Sequence, residues 1–159
     1  IHSHPDGAAS SRELRAGVPA TGVDVGGQAN GAFDSGVWSG KLASFTVRNE
    51  ETRDLSLEQP VSLTLSRTLA QLDFICLRGT PARVCADADW SPSKWSATLT
   101  TTELPLSTLT AGLTPSLEYR GLVNVVARGF GGGADPWQGT YRADLIDAQI
   151  LRRRPALNR

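Results

Sequence analysis

The sequence predicts an all-β fold: an antiparallel two-sheet sandwich, jelly-roll-like, with an extended N-terminal segment. Short runs of apolar residues alternate with polar ones at period two, turns rich in Gly, Pro and Asn separate the runs, and no amphipathic helix of 12 residues occurs. At 159 residues and 16.9 kDa the chain has the length of one ordinary domain. Two half-buried sheets closing on one core are the simplest use of such strands.

Residues 1–32 are rich in Gly, Ala, Ser and Pro and hold no apolar stripe of their own, so they are expected to be an extended segment. The sandwich is expected over 33–151 and a basic tail over 152–159. Ala43, Phe45 and Val47 alternate with Ser44, Thr46 and Arg48, a strand with one buried face. Leu55, Leu57, Val61, Leu63 and Leu65 continue the pattern around Pro60, as two strands or one bent strand. The continuous apolar run 72–77 suits a central strand, whereas 79–96, with Gly79, Pro81, Pro92 and two tryptophans, reads as an irregular excursion. Strand character returns where Trp95, Ala97 and Leu99 fall in phase. Tyr119, Gly121, Val123, Val125 and Ala127 line one face of a further strand. Residues 129–136 read as a loop, and Tyr141, Ala143 and Leu145 open a last strand whose phase changes at Ile146.

Composition excludes several function classes. Sixteen basic residues against sixteen acidic ones leave no net charge to attract nucleic acid. No apolar stretch reaches the roughly 20 residues of a membrane-spanning helix. The first residue is not Met and the chain contains none, as expected of a mature secreted chain after signal-peptide removal. Cys76 and Cys85, with Gly79 and Pro81 between them, are expected to form a disulfide that pins a peripheral loop in an oxidising compartment.

Enzymatic machinery is sparse. The only histidines, His2 and His4, lie in the Gly- and Ser-rich start, so the body has no base for a serine or cysteine nucleophile and no zinc-peptidase ligand set. Gly131, Gly132 and Gly133 lack the Lys-Ser or Lys-Thr of a phosphate loop. No catalytic residue, metal or cofactor is therefore assigned. Asp87 and Asp89 are the one alternative for calcium, and acidic pairs drawn from Asp87, Asp89, Asp135 and Asp144 the one route to a hydrolase. Trp38, Trp90, Trp95 and Trp137 sit near expected strand ends, where an indole caps a core, anchors a subunit contact or stacks on a sugar.

Two segments resemble the TasA and camelysin group of exported bacterial matrix proteins. One is Phe45-Thr46-Val47-Arg48-Asn49; the other is Gln138-Gly139, the alternating strand 140–147 and Ala148-Gln149. The resemblance implies a secreted, jelly-roll-like structural protein whose subunits assemble into biofilm matrix fibres by donating an N-terminal segment to the next copy. Some relatives are described as metallopeptidases, but no residue here carries over to a zinc site. The expected partners are thus copies of the chain itself, in a heterologous polymer, and other matrix components. Residues 1–30 are the expected donor, and strands around 42–48 and 141–150 the acceptor edges. Contact candidates are Val18, Val23, Val25, Phe33, Phe45, Val47, Trp137 and Tyr141. The alternative is a secreted carbohydrate-binding module using Trp90 and Trp137, and a secreted hydrolase comes third.

Overall fold

The computed structural model describes residues 9–18, 23–49, 54–110, 117–132 and 135–152. Ten strands run in chain order: β1 (Ala9–Val18), β2 (Val23–Asp34), β3 (Val37–Asn49), β4 (Leu55–Leu57), β5 (Val61–Leu65), β6 (Ala70–Arg78), β7 (Arg83–Ser91), β8 (Lys94–Pro105), β9 (Leu117–Gly132) and β10 (Asp135–Arg152). One helical turn, α1 (Leu106–Thr110), joins β8 to β9.

All strand pairs are antiparallel and belong to one sheet with the order β1-β2-β3-β4-β6-β7-β8-β9-β10. β5 shares the lane of β4, pairing with the same neighbours β3 and β6, so the chain around Pro60 is one lane interrupted between Leu57 and Val61. The expected all-β, antiparallel character is thus present. Neither a second sheet nor the crossing connections of a jelly roll occur among the described residues. Alternation reports that one face of a strand avoids water, and it is silent about what lies across from that face.

The expected extended N-terminal segment is strand over most of its described length. Residues 9–34 form β1 and β2, which are fully laddered onto β3, and β2 runs across the expected boundary at 32/33. Glycine is frequent in β2, and aromatic rings of β3 occupy the space above Gly27 and Gly31. A Cβ on Gly27 would meet the Phe45 ring at 3.0 Å, and one on Gly31 the Trp38 ring at 2.6 Å. Such cross-strand cover compensates for what glycine takes from a strand. The same device acts at Gly129 under Trp95, where β9 extends through the first half of the expected 129–136 loop. The expected excursion 79–96 is likewise largely the β7–β8 hairpin. His2, His4 and the tail 153–159 lie outside the described residues.

The core is small and sits at one end of the sheet. Leu55, Ala82, Leu104 and Val123 are buried together, with Val47, Leu77, Val84, Leu106 and Val125 packed around them. Leu106 brings α1 over this end. At the β8 bulge, where register with β9 shifts between Thr101 and Leu104, side chains replace ladder acceptors. The buried Thr101 Oγ1 accepts from the Val125 amide at 3.0 Å, and Asn124 Oδ1 accepts from the Glu103 amide at 2.7 Å.

An ionic clasp closes the same region. Glu58, in the gap between β4 and β5, accepts from Arg78 Nε at 2.7 Å and from Arg83 Nε and Nη2 at 2.9 and 2.8 Å, tying the gap to the β6–β7 hairpin. The Arg83 and Arg78 guanidiniums lower the Glu58 pKa from the ordinary 4.5 to about 2. A depressed carboxyl pKa stabilises the fold above the unfolded value and ceases to do so as pH falls through the folded one. We therefore expect Glu58→Gln to lower the melting temperature at pH 7. The gap between variant and wild type should narrow as pH is taken from 4.5 towards 2, as followed by circular dichroism.

Candidate functional site

Directly opposed residues of an antiparallel ladder share a face, so each face can be followed from lane to lane. From β3 to β10 one face is apolar along three rows. A row runs Trp38, Leu65, Ala70, Trp90, Trp95, Gly131; the next runs Leu63, Leu72, Ala88, Ala97, Gly129, Gly139. A third runs Ile75, Ala86, Leu99, Ala127, Tyr141. The opposite face carries rows such as Ser39, Thr64, Gln71, Asp89, Ser96 and Asp87, Thr98, Arg128, Thr140.

Among the described residues, α1 at one end is the only element outside the sheet that packs on the apolar face. Leu99 lies mid-strand, two lanes in from the β10 edge, and is still 40% exposed. The alanines opposite it, Ala86 and Ala127, are small and keep the surface low around it. Along β10 the exposure rises to 77% at Trp137, 85% at Tyr141 and 63% at Leu145. Single exposed apolar residues are ordinary, but a continuous apolar surface of this extent marks a place where something binds.

The tryptophans gather at the end away from the core. Trp90 opposes Trp95 across the β7–β8 hairpin, and Trp38 lies in the same row. Trp137 stands beside Gly131, where an added Cβ would approach its Cα to 3.1 Å. A groove of about 730 Å³ opens here, lined by Trp90, Trp95, Phe130 and Leu69 together with Lys94 and Asp89.

The expected contact residues divide between two places. Val25, Phe33, Phe45 and Val47 fall on the apolar face in β2 and β3, while Trp137 and Tyr141 lie in β10 at the far edge. Val18 and Val23 are opposed at the end of the β1–β2 ladder. The expected acceptor edge at 42–48 is corrected: β3 has neighbours on both sides and offers no free edge there. At 141–150, β10 closes the strand order and has no second neighbour strand among the described residues. Trp90 and Trp137, the sugar-contact alternative, share one rim and are both exposed. Asp87 and Asp89 are on the polar face of β7, not in a loop, and no group of three or more metal-ligating side chains occurs among the described residues.

Cys76 and Cys85 are bonded to each other. They are opposed residues of β6 and β7, both buried, on the face that carries Arg83, so the bond staples a hairpin within the sheet. The low floor of Ala86, Ala88, Ala97 and Ala127 was not singled out by the sequence. Its signal is alanine or glycine at successive in-phase positions, which read as weak strand and not as the bottom of a trough. No family model, curated protein or solved structure matches the chain.

Proposed function

We propose that the chain binds elongated hydrocarbon ligands, such as the acyl chains of lipids, along the open apolar face. The observation that carries this reading is the set of apolar rows running from β3 to β10, with Leu99 40% exposed two lanes in from the β10 edge. Six inter-strand spacings, from β3 to β10, make this surface about 29 Å long. The rows offer almost no hydrogen-bonding groups, and Thr101, whose hydroxyl oxygen accepts from the Val125 amide, is itself buried. A peptide laid on this face would leave its own amides unpaired, whereas a hydrocarbon chain has none to satisfy. The indoles at the rim suit the boundary between an apolar chain and water. The second layer of the expected sandwich is, in this reading, the ligand itself. The Cys76–Cys85 bond supports an oxidising location outside the cytoplasm.

The test is photo-crosslinking from a photoreactive side chain placed at Leu63 or Leu99, against Thr64 or Thr98 on the other face, with mass spectrometry of the adducts. Lipid adducts confined to Leu63 and Leu99 are expected. Their absence, or equal labelling from both faces, would remove the proposal.

A second reading, a structural subunit of a secreted matrix fibre, is favoured by the two open edges, β1 and β10. The resemblance of 45–49 and 138–149 to matrix proteins supports it. Residues 9–34 are committed to the chain's own sheet, so assembly in this reading proceeds by edge addition and not by donation of that segment.

A further inference from the structure

We propose that two copies of this chain join through the free edge of β10 about a two-fold axis centred on Ala143, forming one continuous sheet. From Gln138 to Ile146 the ladder of β10 with β9 is unbroken, and every residue from Pro136 to Ile150 is exposed. A long, regular strand of this kind with a free edge is a template for pairing. Among the described residues no strand pairs with its outer side.

Direction and register follow from the chain itself. Nine lanes of alternating direction make β1 and β10 parallel, so head-to-tail joining of β10 to β1 would put a parallel seam into an otherwise antiparallel sheet. Two β10 strands related by an axis normal to the sheet meet antiparallel and keep both apolar faces on one side.

With Ala143 opposite its own copy, Arg142 faces the partner's Asp144 and Asp144 faces the partner's Arg142. In the same register Tyr141 faces the partner's Leu145, twice, on the apolar side. Arg142 and Asp144 already pair along the strand at 3.0 Å, so the joint would complete a four-membered charge cluster. Moving the axis by one residue opposes Arg142 to itself or Asp144 to itself. The charges that ordinarily protect an edge thus admit one register and penalise its neighbours. The joint also lengthens the apolar surface without needing any ligand on it.

Sedimentation of the full chain over a range of concentrations should show a monomer–dimer equilibrium. Asp144→Arg should weaken it at least tenfold, and Arg142→Asp combined with Asp144→Arg should restore it. Ala143→Cys should cross-link to a dimer on mild oxidation, while Thr140→Cys, offset from its twin by six positions, should not. A chain that stays monomeric at high concentration, a dimer indifferent to Asp144→Arg, or equal cross-linking at 140 and 143 would overturn the joint. The Asp144→Arg monomer should still acquire lipid adducts from position 99, so failure of the dimer and failure of the hydrocarbon reading are separate results.

Discussion

Replacing Gly121 by valine should cost about 3–5 kcal/mol of stability. Gly121 has φ of 111°, a conformation L side chains rarely adopt. It stands opposite the irregularity in β10, where register with β9 shifts between Ile146 and Gln149 and Asp147 itself has φ of 49°. A Cβ on Gly121 would lie 2.7 Å from the carbonyl oxygens of both Ile146 and Asp147 and 2.8 Å from the Ala148 Cα. These are backbone atoms held by the ladder, so rotation of a side chain gives no relief. The strained backbone accounts for about 1–3 kcal/mol and the overlap for a similar amount. Val123, two residues on and only 2% exposed, ties this defect to the core. Urea titration followed by tryptophan fluorescence should show a much lower midpoint for Gly121→Val, with Gly121→Ala between it and wild type. An unchanged midpoint would mean that the bulge can shift along β10 at little cost.

That bulge was visible in the sequence before its meaning was. Tyr141, Ala143 and Leu145 are in phase, and the apolar pattern then moves to Ile146. A strand keeps one phase unless an extra residue is inserted. The structure places the insertion at 147–148 and brings Ile150 opposite Tyr119. Strands with strong alternation, such as 119–127 and 95–99, were legible because each apolar residue reports its face directly. β2 was not, because what makes Gly27 and Gly31 tolerable is a ring on the next strand, at Phe45 and Trp38, which no local window contains. The open apolar face was hidden for a related reason. Alternation is identical whether a second sheet, a ligand or another copy covers the strand, so Leu99 looked like a core residue when read in sequence.

Leu99→Asp should therefore abolish hydrocarbon binding while leaving the fold nearly intact, a combination a true core position could not show. In the free protein the carboxylate at 99 is reached by water, because Leu99 is 40% exposed and its opposed neighbours Ala86 and Ala127 are small. With a chain lying across the face, the carboxylate would be desolvated with no cation opposite it, since its opposed residues are Ala86 and Ala127. Loss of the leucine contact alone is worth about 1.5–3 kcal/mol, or roughly 10- to 150-fold in affinity, and the stranded charge adds to it. Thr98→Asp, one residue away on the polar face, should leave binding unchanged. Displacement of a fluorescent fatty acid, with thermal melts on the same samples, separates the outcomes. A Leu99→Asp protein that binds as wild type would place the ligand elsewhere. One that unfolds would mean that Leu99 is covered after all, and that the sheet closes on itself in solution as the sequence alone suggested.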